Sequence, residues 1–213
     1  MQVSVLKFIT EKNFKKRDAA KLRGYIGNLF RENLLFHNHL EKYDFNYDLA
    51  KIQYKVINNK LAVIGIDEGA KLLAEKFLEI SSFKIDGETY SDFEKSLEIK
   101  EEEFEVSDRL YSYRFENLWI ALNQNNYKKF KDGKFDLDRQ IQNNILEIFK
   151  GLGIWIDKKI IAKGKFTGPH KFRNKDVTME GFAGEFVCNV KMPSYIGLGK
   201  RKSIGFGTIV REE

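Results

Sequence analysis

Apolar and polar residues alternate from Gln2 to Ile9, the period-two pattern of a half-buried strand. An amphipathic segment follows in which Leu22, Ile26, Leu29 and Phe30 share one helical face, with Asp18 near its N-terminus. The stretch from Asn33 to Asp48 is polar and aromatic. Ile52 to Ile57 and Leu61 to Ile64 then read as strands flanking Asn58-Asn59, a pair that tolerates positive φ and suits a tight hairpin turn. Asp67 is placed to cap a second helix whose face is Ala70, Leu73, Ala74, Phe77 and Leu78. Strand-like pieces at Phe83 to Ile85 and Leu97 to Val106 complete the first half.

The order strand, helix, hairpin, helix, strand is the βαββαβ order of a ferredoxin-like domain, whose sheet RNA-recognition modules also use. The second half is less regular. Tyr111 to Leu122 is aromatic and strand-rich at its start, and Asn123 to Lys134 reads as a polar loop. Asp136 opens a helix with Ile141, Ile145, Ile148 and Phe149 on one face, ended by Gly151. Strands are expected at Lys159 to Phe166, Gly181 to Lys191 and Phe206 to Arg211, with a basic loop around Phe166 to Arg173. The expected class is α+β: two ferredoxin-like (RRM-like) domains packed in tandem, the second degenerate. No Pro/Gly linker separates them, and the boundary falls near residue 107, giving domains 1–107 and 108–213.

Composition supports a folded chain. Of 213 residues, 42% are hydrophobic and 18 are Phe, enough to bury a sizeable core. No apolar run approaches the ~20 residues needed to span a bilayer. The N-terminus reads as a strand with no signal-peptide pattern, so a cytoplasmic protein without membrane attachment is expected. One cysteine, Cys188, excludes an internal disulfide and is read as a small core residue.

The net charge of +6 is modest, and its distribution says more. Residues 158–175 hold seven Lys or Arg and no acid, and residues 191–211 hold five more, again with no acid. A basic C-terminal third favours a polyanionic partner, because Lys and Arg release counterions when they meet phosphates. Phe residues interleaved with those cations suit single-stranded RNA, where bases stack and phosphates pair.

The most specific motif lies near the C-terminus: Gly197-Leu198-Gly199-Lys200-Arg201-Lys202-Ser203-Ile204-Gly205-Phe206-Gly207. Two Gly-hydrophobic-Gly triplets bracket five residues, three of them basic. Glycine allows positive φ and close approach of a ligand to the amides, and the cations add charge. A dinucleotide fingerprint would need Gly at 202, which is Lys. A Walker loop ending at Gly199-Lys200 would need Gly at 194, which is Ser, and Ser or Thr at 201, which is Arg. A plain glycine-containing hairpin is the bland alternative.

This double Gly-x-Gly resembles the signature loop of the CRISPR-associated precursor-crRNA processing endoribonucleases, the Cas-six family. The flanking Pro193-Ser194-Tyr195-Ile196 and Thr208-Ile209-Val210 share the resemblance. So do Leu22-Arg23-Gly24, Leu35-Phe36-His37-Asn38-His39 and Ile52 to Ile57, which are most similar to the type I-B branch. Residues 80–150 contribute little. The resemblance implies two ferredoxin-like domains and cleavage of CRISPR repeat RNA (pre-crRNA) by 2′-hydroxyl attack, leaving 5′-hydroxyl and 2′,3′-cyclic phosphate ends. It implies no metal or other cofactor. It leaves open a homodimer and hand-off of the product to an interference complex, and it includes non-catalytic RNA-binding subunits as the alternative.

The three histidines are His37, His39 and His170. In an extended segment His37 and His39 would point to the same side. With a reference pKa near ~6.5, imidazole accepts and donates protons at cellular pH. The family places a histidine after the first helix, so acid–base work is assigned to His39 first and His37 as partner. Tyr47 is the hydroxyl helper, with Tyr43 and Tyr25 behind it, and Lys42, Lys51 and Arg31 are unranked cations. The RNA contacts expected are Lys200, Arg201, Lys202, Ser203, Lys171, Arg173, Lys175 and Arg23. His37-Asn38-His39 is not an HNH nuclease motif, whose residues are dispersed. Asp44 and Asp48 near the pair show no metal-ligand spacing. His170 is expected to touch RNA or solvent rather than perform chemistry.

Overall fold

The computed structural model describes residues 1–37, 49–174 and 177–212. The chain divides into two compact units, Met1–Glu102 with Ser203–Gly205, and Glu103–Lys202 with Phe206–Glu213. The helix and strand alternation of the first half produces β1 (Gln2–Ile9), α1 (Asp18–Leu29), a single turn α2 (Leu34–His37), β2 (Ile52–Ile57), β3 (Lys60–Ile66) and α3 (Glu68–Lys76). A small hairpin, β4 (Phe83–Ile85) and β5 (Glu88–Tyr90), precedes β6 (Glu94–Glu101).

The four long strands form a sheet in the order β2-β3-β1-β6, every neighbour antiparallel. That is the ferredoxin-like order. Asn58 and Asn59 turn the β2–β3 hairpin with φ of 49° and 62°, as a two-residue hairpin of this type requires. The core gathers Leu6 and Phe8 of β1, Leu22 and Ile26 of α1, Tyr54 of β2, Val63 of β3 and Leu73 of α3. Burying each such side chain contributes roughly 1.5–3 kcal/mol before entropy is subtracted. The β4–β5 hairpin closes this core, with the Phe83 ring 5.3 Å from Phe8 and 5.1 Å from Tyr90.

Two local expectations are corrected. Asp67 precedes α3 but makes no side-chain cap; its Oδ1 instead accepts the Gln2 backbone N–H at 3.0 Å, joining the helix start to β1. The piece expected as one strand from Leu97 to Val106 is two strands, β6 and the start of β7 (Glu105–Phe115).

The second unit continues with α4 (Gln124–Lys131), α5 (Leu137–Gly151), β8 (Ala162–Asn174), β9 (Val177–Lys191) and β10 (Ile209–Glu212). Its sheet order, β10-β7-β9-β8, repeats that of the first unit. Where the first unit has α3 between its third and fourth strands, the second has the glycine-rich segment between β9 and β10. The degenerate second ferredoxin-like unit is therefore degenerate at one helix.

Ile141, Ile145, Ile148 and Phe149 of α5 are all buried, and Asp136 caps this helix by accepting the Arg139 N–H at 3.1 Å. The sequence expected a loop at α4, because a polar segment offers no apolar stripe. A capping box supplies the missing signal: Asn123 Oδ1 accepts the Asn126 N–H at 3.0 Å, and Asn126 Oδ1 accepts the Asn123 N–H at 2.6 Å. The expected basic loop at Phe166–Arg173 is strand. It pairs with β9 through Asn174 across an irregularity between Thr167 and His170. Among the described residues no helix is long and apolar enough to cross a membrane.

Candidate nucleic-acid interface

The glycine-rich turn is held by a segment the sequence did not single out. Trp119 forms a backbone bridge to Phe182 of β9, its N–H donating to the Phe182 carbonyl at 2.7 Å and its carbonyl accepting the Phe182 N–H at 2.9 Å. The flanking carbonyls of the same segment take the turn: Leu118 accepts the Gly207 N–H at 2.9 Å and Ile120 accepts the Lys200 N–H at 3.1 Å. Leu118–Ile120 is thus an inserted spacer between β9 and the turn.

Two glycines are required there. Gly199 has φ of 76°, and a Cβ on it would lie 2.7 Å from both the Ile120 carbonyl oxygen and the Trp119 Nε1. Gly207 has φ of 59°, and a Cβ would lie 2.0 Å from the Leu198 oxygen. The Trp119 ring beneath them is fully buried, and its Nε1–H donates to Asn144 Oδ1 of α5 at 3.0 Å. Buried amide and indole groups satisfy one another, so the floor of the turn is rigid. Lys200 and Arg201 are left exposed at the tip, Arg201 with φ of 57°, and Lys202 is half-buried.

Lys171 and Arg173 are exposed on β8, opposite Glu180 and Thr178 of β9. Between them Phe172 turns its ring onto Phe206, which lies between the last two glycines of the turn; the centroids are 5.1 Å apart and the planes 23° from parallel. This contact ties strand β8 to the glycine-rich turn within the second unit. His170 is exposed, its Nε2 3.3 Å from Thr167 Oγ1. Lys175 lies outside the described residues.

His37 ends α2 in the first unit. Phe36 anchors that turn: it is buried, stacks on Phe30 with centroids 4.6 Å apart, and its carbonyl accepts the Tyr54 hydroxyl at 3.2 Å. The His37 ring lies over the helix-α1 glycine, where a Cβ on Gly27 would be 3.3 Å from Nδ1. Its Nε2 is buried and finds no hydrogen-bond partner among the described residues.

Arg23, expected to reach RNA, donates from Nη2 to the His37 carbonyl, and burial holds its guanidinium below the usual range. This half-buried arginine ties α1 to the end of α2. Tyr25 is half-buried and shares a hydrogen bond of 2.8 Å with Ser82. The Lys51 ammonium pairs with Glu68 at 2.9 Å, and Arg31 pairs with its neighbour Glu32 at 3.2 Å. His39, Tyr47, Tyr43, Lys42, Asp44 and Asp48 lie outside the described residues.

Sequence reasoning missed Trp119 and Asn144, and gave no separate role to Phe172, Phe206 and Tyr54. The apolar run Leu118–Leu122 ahead of a polar capping box was the one available signal for Trp119. Nothing in the spacing pointed to Asn144.

Two ferredoxin-like units in tandem, the second exchanging a helix for a glycine-rich cationic turn, define a tandem ferredoxin-like protein of the kind found in Cas6 structures. One such solved structure, described as CRISPR-associated protein Cas6, shares this fold at 14% identity over the full length of both chains, with a TM-score of 0.61. The family is narrower. A Cas6b N-terminal domain model matches residues 1–103 and a Cas6b C-terminal domain model matches residues 105–212. The chain belongs to the Cas6b family.

A crystal structure of Cas6b is 29% identical and covers all of both chains with a TM-score of 0.87. A second, a CRISPR RNA processing endoribonuclease Cas6b, is 27% identical over all of both chains with a TM-score of 0.73. An uncharacterized protein of Methanocaldococcus jannaschii is 34% identical over 146 residues, 66% of this chain and 99% of the relative. The resemblance read from the glycine-rich turn holds at the level of the family.

Proposed function

We propose that this protein is an endoribonuclease that cuts CRISPR repeat RNA without a metal ion. The reading rests on full-length similarity to a relative described as a CRISPR RNA processing endoribonuclease. RNA carries its own nucleophile. The 2′-oxygen forms a bond to phosphorus while the P–O5′ bond breaks, giving a 2′,3′-cyclic phosphate and a 5′-hydroxyl. One proton leaves the 2′-hydroxyl and one reaches the departing 5′-oxygen. Histidine serves both transfers, and each is commonly worth ~10²–10⁴-fold.

His39 is the principal acid–base residue in this reading, His37 its partner and Tyr47 the hydroxyl helper. Lys200, Arg201 and Lys202 grip the phosphates, with Ser203 beside them, and Lys171, Arg173 and Lys175 extend that grip along the hairpin. Arg23, bonded to the His37 carbonyl, is also an RNA contact in this reading. The cellular setting is the cytoplasm, and the product is a crRNA for an interference complex. Domain limits of 1–107 and 108–213 place the histidines in one domain and the turn in the other.

The test is cleavage of repeat RNA in EDTA, beside the same RNA with one 2′-deoxy nucleotide 5′ to the cut. Cleavage of the first and survival of the second is expected. Activity lost in EDTA and restored by Mg²⁺ contradicts the mechanism. Binding without cleavage returns the protein to the RNA-binding-subunit class.

A further inference from the structure

Helix α1 contains two glycines, Gly24 and Gly27, and neither has positive φ. Glycine within a helix costs stability relative to alanine, because it loses more backbone freedom on folding. Where no special φ is needed, close approach of a neighbour is the remaining reason for it. Gly24 is exposed, and a Cβ added there would meet nothing within 4 Å. Gly27 is buried, and a Cβ there would lie 3.3 Å from His37 Nδ1, 3.5 Å from His37 Cε1 and 3.6 Å from the Phe36 carbonyl oxygen. Only the first is tighter than ordinary van der Waals contact. The imidazole is therefore the group that would have to give way, by a few tenths of an ångström.

The backbone of α2 is not free to yield in its place. The Phe36 carbonyl accepts the hydroxyl of fully buried Tyr54 at 3.2 Å, and the His37 carbonyl accepts Arg23 Nη2. Burial pushes the Tyr54 hydroxyl up, so it keeps its proton and its donor role through the neutral range. The Phe36 ring is buried against Phe30. With the backbone tied to α1 and β2, crowding at Gly27 is relieved at the His37 ring. Its Nε2 is buried without a hydrogen-bond partner among the described residues, so packing on α1, not a bond at that nitrogen, sets the direction of the ring.

We propose that Gly27 is a positioning residue of the RNA-cleavage site: its bare Cα seats the His37 imidazole, and α1 gives up helix stability to keep that seat. This role rests on the proposed acid–base part of His37 and adds what aims its ring. Proton transfer needs the two heavy atoms within hydrogen-bond reach, so a small displacement is felt in the rate of the chemical step. The grip on phosphates, supplied by other residues, is untouched.

The experiment compares wild type, Gly24→Ala, Gly27→Ala, His37→Ala and Gly27→Ala/His37→Ala. Three quantities are measured: single-turnover cutting of CRISPR repeat RNA over a range of protein concentrations, melting temperature, and the His37 ring-proton NMR resonance, assigned by its loss in His37→Ala. Gly24→Ala is expected to melt about 2–4 °C higher and to match wild type in rate and resonance. Gly27→Ala is expected to gain less in melting temperature and to move the His37 resonance while that of His170 stays. At saturating protein it should cut about tenfold more slowly, with the half-saturating concentration unchanged. In the His37→Ala background no ring remains to be displaced. There Gly27→Ala should show the full gain in melting temperature and no further loss of rate.

Wild-type cutting by Gly27→Ala, or an unmoved His37 resonance, overturns the seat and leaves the endoribonuclease reading intact. So does an equal loss of rate from Gly27→Ala with and without His37, or a slow Gly27→Ala beside a fast His37→Ala. A fall in melting temperature that persists in the double variant places the cost elsewhere than the ring and overturns it as well. Wild type that cuts no repeat RNA overturns the endoribonuclease reading and the positioning role together.

Discussion

Phe172 of the β8–β9 hairpin stacks on Phe206, the residue between the last two glycines of the turn, with ring centroids 5.1 Å apart. The contact joins two cationic stretches that are about thirty residues apart in sequence. It ties strand β8 to the turn through an aromatic contact.

Phe172→Ala and Phe206→Ala are expected to weaken RNA binding to a similar extent, and the double variant to be little worse than either. A coupling of about 0.5–1.5 kcal/mol in a double-mutant cycle of stability is predicted for such a pair. Denaturant unfolding of the four proteins measures it; additive losses would mean that the rings do not depend on each other.

Gly199→Ala and Gly207→Ala each place a Cβ against backbone, at 2.7 Å and 2.0 Å, in a left-handed conformation. Each is expected to cost at least about 1–3 kcal/mol in stability. Urea unfolding checks this. An alanine at Gly133, which has positive φ but nothing within 4 Å of the new Cβ, should cost only the backbone part.

Lys200→Ala/Arg201→Ala removes the two exposed cations of the turn. Weaker binding of repeat RNA is expected, with a shallower dependence on salt and near-native thermal stability. Unchanged binding at every salt concentration would remove the turn from the RNA interface.

Cys188 is fully buried, and burial pushes its thiol up to about 12. The folded protein keeps the proton that the unfolded chain loses near its ordinary value of 9. Stability from this group is therefore complete below pH 9 and declines as pH rises toward 12, by up to about 1.4 kcal/mol per pH unit. The thiol should react with a disulfide reagent at pH 8 only on unfolding. Cys188→Ser should flatten the alkaline limb of the stability curve, and a burst of labelling in native buffer would contradict the buried placement.

The first unit was legible because its signals are local. Alternation in β1 and β2, the 3.6-residue spacing of Leu22 and Ile26, and Asn58-Asn59 at a turn all act within a few residues. Around the turn the decisive contacts are not local: the Leu118–Trp119 segment is held between Gly207 and Phe182, and the Trp119 indole is satisfied by Asn144 from another element. Sequence alternation cannot report such a partner. The glycines were visible as a motif, while the spacer that forces them to be glycine was not. Of the proposed histidine pair, His37 is placed by Phe36, Tyr54 and Arg23, none of which the histidine spacing itself predicts.

The central claim is that histidine moves the protons of RNA cleavage. Single-turnover cutting of CRISPR repeat RNA by His37→Ala/His39→Ala, with binding measured on the same preparations, tests it most directly. The account predicts a rate loss of more than about 10²-fold with RNA affinity nearly that of wild type. Cutting at close to the wild-type rate by the double variant would contradict it.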